Sequence, residues 1–477
     1  MNMHTRLEPP TNLPAEHALL GAILVKNDAY DAVTAAGIQP HHFSEPLHRA
    51  IFEACGNLIS ADKVANPVTV RPFLPADLTV GDLTISQYLA RLAIEAVSIS
   101  QAADYAATVI QAARCRDLMA AGQQALQTGS TFLSEIELAD ELDALSDRLD
   151  MIRSDGAKTE ASASAGASYL AMFDKAAKSD HVAGVPIGIK ELAKVLSEPT
   201  FEVGNLYGLL SSSGEGKTSL TIQLIMAALK AGHPVLFLSY DQSPAQVVRQ
   251  WIAQEYGIEV RRQRQPAKWL SEQEQTQCVQ FAQWIDKQPL KIIRCHREGI
   301  KPLLSYIRVF HRSHKDNPKE RLVVLDHISK VTPRDPRLDA GSISGEITVE
   351  LKSTADQNRA AIIALNQRNT AGTNRDNPRP ISKDLYGGEG ARADYDAIAY
   401  LYRAEKYKAD RVKIAAGDAD WKKINSVFGT DADIEGMAEL GALKVRFGNP
   451  NITETLKFEA KYTRYVSKPE PQEARML

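Results

Sequence analysis

The stretch Leu206–Leu220, LYGLLSSSGEGKTSL, decides the fold of this chain. It begins as a short apolar run of strand type, continues as a Ser/Gly loop, and closes on Gly216-Lys217-Thr218 at the start of an amphipathic helix. Glycines allow backbone N–H groups to surround phosphate oxygens, and a helix N-terminus adds a positive partial charge. We therefore predict a phosphate-binding loop, although a Ser-rich turn with this pattern also occurs in ordinary surface loops.

The predicted loop departs from the motif G-x-x-x-x-G-K-[ST] at one position, because Ser211 stands where the first glycine belongs. In this motif the lysine, here Lys217, reaches the β- and γ-phosphates, and the hydroxyl of Thr218 binds Mg²⁺. The residues predicted to bind nucleotide are Ser212, Ser213, Gly214, Glu215, Gly216, Lys217, Thr218 and Ser219.

The bulk composition is that of an ordinary globular protein. The chain has 477 residues, too many for one hydrophobic core, which predicts about two or three domains. Apolar residues make up 44% and charged residues 24% of the sequence. The formal charge of −3 excludes a globally basic nucleic-acid-binding protein, so any such contact needs a local basic stripe or a lined channel.

Cysteine usage and the N-terminus predict the compartment. The four cysteines lie far apart without a C-x-x-C pair, as expected of small apolar core residues in a reducing cytosol: Cys55, Cys115, Cys278 and Cys295. The N-terminal sequence has no apolar signal-peptide core, and no uncharged run is long enough to span a bilayer. We therefore expect a cytoplasmic protein that is not bound to a membrane.

The first half of the chain divides into a helical zone and a linker. Apolar residues at helical spacing run from Pro14 to Gln127 and predict an all-α N-terminal domain over residues 1–128. Residues 129–183 are predicted to be a linker region, centred on DGAKTEASASAGAS at Asp155–Ser168. Within it, residues 168–178 are predicted to form a short amphipathic docking helix with an apolar side made of Tyr169, Leu170 and Phe173.

The third zone, residues 184–467, alternates apolar strands with helices and is followed by a C-terminal tail at residues 468–477. This alternation predicts an α/β domain with a mainly parallel sheet and helices on both faces. The predicted strands are NLYGLL, PVLFLSY, LKIIRC, RLVVLD, AAIIALN and AIAYLYR.

Carboxylates follow two of these strands. RLVVLD ends in Asp326, which either holds the metal beside the phosphate loop or is an ordinary turn residue. PVLFLSYDQ ends in Asp241, which either orients the water that attacks the γ-phosphate or caps the helix that begins near Pro244.

Three further polar residues follow or lie within strands. Gln367, after AAIIALN, could sense the γ-phosphate or be an ordinary loop residue. Lys444 and Arg446 alternate in the strand pattern GALKVRFGNPN, so both are expected to point to the same face. Such a pair is either a solvated edge or the cations that a neighbouring subunit offers to transition-state charge.

These motifs, in this order, resemble those of hexameric replicative DNA helicases of the bacterial DnaB type. The resemblance covers most of the chain. GVPIGIKELAKVL is similar to the family's lead-in to the phosphate loop, and AEHALLGAIL with HHFSEPLHRAIFEA is similar to its N-terminal helical domain. LDHIS is particularly like the phage and mitochondrial branch of these helicases.

The resemblance implies a RecA-like P-loop ATPase domain that uses ATP and Mg²⁺, with Lys217 on the phosphates and Thr218 and Asp326 on the metal. It places Asp241 at the catalytic acid position and Gln367 at the γ-phosphate sensor. It also implies that both cations of GALKVRFGNPN act on the nucleotide of the adjacent subunit. The residues with a predicted catalytic role are Asp241, Lys217, Arg446, Lys444 and Gln367.

A DNA-binding segment is implied by the same resemblance. DLYGGEGAR, Asp384–Arg392, lies where the family grips single-stranded DNA, but Tyr386 stands where the family usually has Arg. Backbone N–H groups in this glycine-rich segment could still bind a phosphate chain. The loop after Asp326 supplies two more cations, which a solvated loop explains equally well. The predicted DNA-binding residues are Arg334, Arg337, Gly387, Gly388, Gly390 and Arg392.

The resemblance implies an ATP-dependent replicative DNA helicase that works as a homo-hexamer on single-stranded DNA and meets a primase and a helicase loader. The docking helix would pack on the next subunit's motor. The alternatives are a recombinase-type RecA-like ATPase and a helicase-like ring that hydrolyses ATP poorly, which Asp241 in place of the family's Glu would permit. The stretch Tyr407–Leu440 is longer than the family connection and has no predicted role.

Overall fold

The computed structural model describes residues 8–75, 78–155 and 184–468, together with residues 166, 169–170 and 173–174. The chain forms two compact units, Met1–Asp174 and Lys175–Leu477. Most of the predicted linker centre, of the docking helix and of the C-terminal tail lies outside the described residues. The described positions of the docking helix are helical, with Tyr169, Leu170 and Phe173 more than half exposed.

The N-terminal unit is a bundle of helices, which confirms the all-α prediction. Its first helix lies at the centre of the bundle, because it is apolar on all sides and buries Leu19, Leu20 and Ile23 completely. A two-stranded ribbon precedes the fifth helix. The elements are α1 (Leu13–Val25), α2 (Asp28–Ala35), α3 (Pro46–Ser60), α4 (Pro67–Val70), β1 (Thr79–Val80), β2 (Leu83–Thr84), α5 (Ile85–Ile94), α6 (Ile99–Gly129) and α7 (Glu135–Ser154).

Helix α7 lies inside the segment that the sequence assigned to the linker region. It packs on α6, and Arg114 Nε donates to the carbonyl oxygen of Ile152 at 2.9 Å. The N–H of Ser134 donates to the carboxylate of Glu137 at 2.9 Å, and the N–H of Glu137 donates to the Ser134 hydroxyl at 3.4 Å. This Ser-x-x-Glu capping box is the sequence signal for a helix that the linker prediction omitted.

The second unit holds a nine-stranded sheet flanked by helices. Its first half consists of β3 (Val185–Pro186), α8 (Lys190–Leu196), β4 (Thr200–Phe201), β5 (Leu206–Ser211), α9 (Lys217–Lys230), β6 (Val235–Ser239), α10 (Pro244–Tyr256), α11 (Pro266–Trp269), α12 (Glu272–Ile285), β7 (Leu290–Arg294), α13 (Ile300–Ser313) and β8 (Arg321–Asp326). Its second half consists of α14 (Ala340–Gln357), β9 (Ala360–Gln367), α15 (Thr370–Thr373), α16 (Gly388–Arg392), β10 (Ala397–Tyr402), α17 (Ala404–Ile414), α18 (Asp418–Phe428), α19 (Asp431–Ile434), β11 (Met437–Val445), β12 (Thr453–Glu459) and β13 (Arg464–Ser467).

The strand order is β13-β12-β11-β10-β5-β9-β8-β6-β7. The strands from β10 to β7 are parallel to their neighbours, whereas β11, β12 and β13 add an antiparallel edge, so the prediction of a mainly parallel sheet is confirmed. Both faces are covered. In β5, Tyr207 and Leu209 enter one hydrophobic core while Leu206 and Leu210 enter the other.

The parallel strands bring several polar residues to one edge of the sheet. β5, β6, β8 and β9 all end there, because parallel neighbours share their direction. In the register of these strands, Ser239 lies beside Asp326, and Ser211 lies beside Gln367. Among the described helices, none is both long and apolar enough to cross a membrane.

Candidate nucleotide-binding site

The phosphate loop, Ser212–Gly216, links β5 to α9. Gly214 and Gly216 have φ values of +75° and +90°, in the left-handed region that favours glycine. A Cβ atom at Gly216 would lie 2.3 Å from the hydroxyl oxygen of Tyr465, and one at Gly214 would lie 2.5 Å from Lys406 Nζ. The loop therefore depends on glycine at both positions, and its glycine turns lead directly into the N-terminus of a 14-residue helix, where anions bind.

Ser211 takes the place of the motif's first glycine without backbone strain. It is the last residue of β5, it is fully buried, and its φ is not positive. Glu215 is also fully buried, and its carboxylate accepts hydrogen bonds from the backbone N–H groups of Ser212 and Arg403. Burial raises the pKa of Glu215 above the usual range of a carboxyl. This side chain therefore positions the loop from within the protein.

Lys217 is the first residue of α9 and points toward the end of β9. Its Nζ donates to the carbonyl oxygen of Asn366 at 3.1 Å. Burial lowers the pKa of Lys217, while the carboxylates of Asp326 and Asp241 oppose this effect by favouring the charged form. A desolvated ammonium beside acidic groups interacts strongly with a phosphate, because little water screens it.

Thr218 and Asp326 meet as the sequence predicts. The Thr218 hydroxyl donates to Oδ2 of Asp326 at 3.2 Å, and Asp326 is 1% exposed. Burial raises the pKa of Asp326 to about 6, Lys217 and Thr218 lower it, and the nearby charge of Asp241 raises it further. A hydroxyl and a carboxylate are hard oxygen ligands, the kind that Mg²⁺ prefers, so this donor pair fits a phosphate-bound Mg²⁺.

Asp241 lies two residues beyond β6, on the exposed side of the same edge. The N-cap of α10 is Ser243, whose N–H donates to the side chain of Gln246 at 2.8 Å, so the alternative that Asp241 caps this helix is wrong. Oδ2 of Asp241 lies 3.9 Å from Nε2 of His327. Burial lowers the pKa of His327 to about 4, so this imidazole is neutral near pH 7. The sequence contained His327 in LDHIS, but no residue pattern indicated its place beside Asp241.

Gln367 is the last residue of β9, and the N–H of the next residue, Arg368, donates to the carbonyl oxygen of Ser211 at 3.1 Å. The sensor candidate therefore lies at the strand end next to the phosphate loop. The carbonyl oxygen of the preceding residue, Asn366, accepts a hydrogen bond from the Lys217 ammonium. The structure thus brings Lys217, Thr218, Asp326 and Gln367 to one edge, as expected of a nucleoside triphosphate site.

Comparison with known proteins agrees with this geometry. Residues 184–467 match the family model described as the DnaB-like helicase C terminal domain, and residues 8–111 match the DnaB-like helicase N terminal domain. The chain belongs to the DnaB-like helicase family. It is therefore an ATP-hydrolysing DNA helicase, and the recombinase-type alternative is excluded.

Relatives of this DnaB-like helicase match it over most of its length and over most of their own. The replicative DNA helicase DnaB of Rickettsia conorii is 26% identical over 451 residues, covering 88% of this chain and 87% of the relative. That of Geobacillus stearothermophilus is 25% identical over 412 residues, covering 84% and 87%. A solved DnaB-like replicative helicase, studied with its primase interactions, has the same fold, with a TM-score of 0.66 at 18% identity over 96% of this chain and 100% of that one.

In this DnaB-like helicase Lys444 and Arg446, at the end of β11 and just beyond it, lie far from the chain's own phosphate loop. The alternation of residues had predicted that Arg446 lies in the strand. This is wrong, because β11 ends at Val445 and Arg446 belongs to the following turn. Arg446 Nη1 lies 2.7 Å from Oδ1 of Asp396, whose Oδ2 accepts the N–H of Leu206 at the start of β5. Lys444 Nζ donates to backbone carbonyl oxygens nearby, at 2.8 and 2.9 Å. The phosphate loop follows the other end of β5, six residues away, or roughly 20 Å at the usual strand rise.

The DNA-binding candidates lie on two segments that touch each other. A Cβ atom at Gly387 would lie 2.5 Å from Cβ of Ser344 and 2.9 Å from the carbonyl oxygen of Ala340, so this glycine packs on the first turns of α14. The loop carrying Arg334 and Arg337 leads into the same helix. The short helix α16 contains the remaining candidates, Gly388, Gly390 and Arg392.

Two of the three arginines among the DNA-binding candidates contact other residues of this chain. Arg334 Nε lies 3.5 Å from a carboxylate oxygen of Glu346, and Arg392 donates to the carbonyl oxygen of Leu443 at 3.3 Å. Arg337 is exposed. All three remain candidates for contact with a phosphate backbone, because none of them is buried.

Sequence reasoning missed the residues that approach the phosphate loop from β10 and α17. Lys406 Nζ donates to the carbonyl oxygen of Ser213 at 3.0 Å, and the guanidinium of Arg403 lies over the ring of Phe458 at 4.2 Å. The cause is topological. β10 pairs with β5 in parallel, so the residues after β10 arrive at the edge where the phosphate loop lies. The segment that had no predicted role begins with the next residue, Tyr407, whose hydroxyl donates to Oγ of Ser212 at 2.7 Å, so its start borders the nucleotide site.

Proposed function

We propose that this DnaB-like helicase acts in DNA replication as a ring of six subunits that moves along single-stranded DNA by hydrolysing ATP between subunits. The observation that carries the proposal is the position of Arg446. It lies at the opposite edge of the sheet from its own phosphate loop, yet its guanidinium is more than half exposed. A cation so placed cannot reach its own phosphate loop, so the nucleotide that it acts on belongs to a neighbouring subunit, and a head-to-tail ring supplies one at every interface.

Within one subunit, the nucleotide-binding residues supply the phosphate contacts. Lys217 neutralises the β- and γ-phosphates, and Gly214 and Gly216 of the loop offer backbone N–H groups at the start of α9. Thr218 and Asp326 would hold Mg²⁺. The ion supplies positive charge that stabilises the charge developing on the phosphoryl group.

Asp241 and Gln367 are assigned to the attacking water and to the γ-phosphate. Asp241 has an exposed carboxylate beside neutral His327, a position from which it can act as the base for the attacking water. Gln367 stands at the end of β9 next to the loop, where an amide can report whether the γ-phosphate is present.

Single-stranded DNA is assigned to the segments that meet at the N-terminus of α14. Gly387, Gly388 and Gly390 allow a close approach of a phosphate chain, and Arg334, Arg337 and Arg392 add positive charge. Recognition of this kind is independent of base sequence and weakens with salt. The N-terminal unit is the proposed contact surface for a primase and a helicase loader, since the solved DnaB-like helicase of similar fold was studied with a primase.

The proposal is tested by steady-state ATPase with and without a single-stranded oligonucleotide, combined with unwinding of a forked duplex. We expect turnover that rises with single-stranded DNA, unwinding that requires ATP, and rings in negative-stain images with a non-hydrolysable ATP analogue. Intact nucleotide binding without DNA-stimulated turnover would contradict the helicase mechanism and favour a ring that hydrolyses poorly.

The role of Asp241 predicts a separation of kcat from KM. Asp241→Asn removes the base but keeps the size of the side chain, so kcat should fall by about 100-fold or more while KM for ATP changes little. Asp241→Glu restores a carboxylate with longer reach and should recover most of the turnover. A kcat for Asp241→Asn equal to that of the wild type would assign the water to another residue.

The DNA-binding segment predicts a contrast between two glycines. Gly387 has a φ of +82° and no room for a Cβ, whereas a Cβ at Gly417, a glycine outside the proposed DNA site, meets nothing within 4 Å. Gly387→Ala should weaken binding of a fluorescent oligo-dT by about tenfold, because a left-handed alanine costs about 1–2 kcal/mol and the loop must leave α14. Gly417→Ala should bind like the wild type at the same salt concentration. Equal affinity of both variants would remove this loop from the DNA site.

A further inference from the structure

A chain of hydrogen bonds leads from the phosphate loop to the proposed DNA segment through α17. The hydroxyl of Tyr407 donates to Oγ of Ser212 at 2.7 Å. The same hydroxyl accepts from Nη1 of Arg368 at 3.1 Å, and Nη2 of Arg368 donates to Oδ2 of Asp384 at 2.8 Å. Asp384 begins the segment Asp384–Arg392. Two side chains, Tyr407 and Arg368, therefore connect Ser212 with Asp384, the first residue of that segment.

Arg368 is an unusual residue for this position. It follows the sensor candidate Gln367 directly, it is 5% exposed, and it pairs with Asp384, which is 1% exposed. Its Nε is buried without a hydrogen-bond partner among the residues that the structure describes. A buried ion pair that leaves a donor unpaired adds little stability over apolar residues of the same volume. Nη2 of Arg368 also donates to the carbonyl oxygens of Gly372, at 3.2 Å, and Pro378, at 2.5 Å, so this arginine joins the loop after Gln367 to Asp384 as well as to Tyr407.

Asp384 does not depend on Arg368 alone for its charge. Arg375 contributes two further hydrogen bonds to the same carboxylate, the longer of them at 2.9 Å. The backbone N–H of Ile381 donates to it as well, at 3.1 Å. Removing the guanidinium of Arg368 would thus leave a paired carboxylate, and the link toward Tyr407 can be cut without exposing an unpaired buried charge.

We propose that Tyr407 and Arg368 are positioning residues that couple the phosphate loop to the DNA-binding segment. Ser212, whose oxygen accepts from Tyr407, keeps its own hydroxyl hydrogen for a phosphate oxygen. Binding of nucleotide at Ser212 then changes the hydrogen bond that Tyr407 makes, and through Arg368 the position of Asp384 and the segment after it. Hydrogen bonds in such a chain polarise one another, so a change at one end is felt at the other.

The inference rests on the proposed function, because it takes Asp384–Arg392 to be the DNA-binding segment. It predicts that ATP and single-stranded DNA bind cooperatively, and thermodynamic linkage requires the effect to be equal in both directions. Coupling can therefore be measured as the ratio of DNA affinities with and without a non-hydrolysable ATP analogue. A residue with a merely structural role would not change this ratio.

The test is Tyr407→Phe in the full chain. The substitution keeps the ring and removes both hydrogen bonds of the hydroxyl. We expect the coupling ratio, and the stimulation of ATPase by oligo-dT taken as turnover with DNA over turnover without it, each to fall by about fivefold or more. Tyr402→Phe is the matched control, since the ring of Tyr402 stacks on that of Tyr407 at a centroid distance of 5.4 Å and the Tyr402 hydroxyl is not part of this series of hydrogen bonds. This control should keep the wild-type ratio.

Arg368→Met is the second variant, and its melting temperature identifies any loss of fold. It should reproduce the loss of coupling expected for Tyr407→Phe. The double variant should lose no more coupling than either single variant, because Tyr407 and Arg368 act in the same series of hydrogen bonds. Wild-type coupling in Tyr407→Phe would overturn the inference. A wild-type protein that DNA does not stimulate would instead contradict the proposed function, so the two failures are distinguishable.

Discussion

Lys217→Ala should lower kcat for ATP hydrolysis by at least about 100-fold, since removing one preorganised charge from a phosphoryl transition state costs that much. The ammonium is fixed by the carbonyl oxygen of Asn366, and burial makes its interaction with phosphate strong. Alanine is a good helix former at the start of α9, so the fold should be retained. Steady-state ATPase measures the loss, and circular dichroism measures the fold.

The control for this prediction is the lysine at the other end of the same helix. Lys230 is the last residue of α9, where its Nζ pairs with Glu255 at 2.6 Å on the surface. Lys230→Ala also removes one positive charge from α9, and it should leave kcat unchanged. A large loss in both variants would point to damage of the helix, and normal turnover in Lys217→Ala would place hydrolysis elsewhere.

The sequence alone could predict the site residues that lie at the end of an apolar stretch. Asp326 and Gln367 are the last residues of strands that are almost entirely buried, and Lys217 follows a glycine loop. Parallel strands share an edge, so their ends had to meet. The prediction therefore needed only the order of local patterns and the rule for connecting them.

The contacts that sequence could not predict depend on pairing between distant strands. Tyr407 reaches Ser212 because β10 lies next to β5, a neighbour relation between segments about 190 residues apart that no local pattern encodes. The exact end of β11 is a second case. Arg446 fits the strand alternation, but its N–H donates to the carbonyl oxygen of Asp396 beyond the last strand pair, so it belongs to a turn.

Arg446→Ala should abolish turnover while leaving nucleotide binding intact, because the guanidinium belongs to the neighbouring subunit's site. An arginine that acts in this way contributes about 10³ or more to kcat. Fluorescent-nucleotide binding should be unchanged, since Arg446 lies at the far edge of the sheet from its own phosphate loop. A monomeric preparation of the wild type should for the same reason hydrolyse ATP very slowly.

Mixed rings decide between action within one subunit and action across an interface. Lys217→Ala keeps its arginine but loses its phosphate site, whereas Arg446→Ala keeps its phosphate site but loses its arginine. In a ring assembled from equal amounts, about one interface in four joins an intact phosphate site to an intact arginine, because head-to-tail contacts form at random. Mixing should therefore restore up to about a quarter of wild-type turnover. If Arg446 acted on its own subunit's nucleotide, every subunit would lack one essential group and mixing would restore nothing.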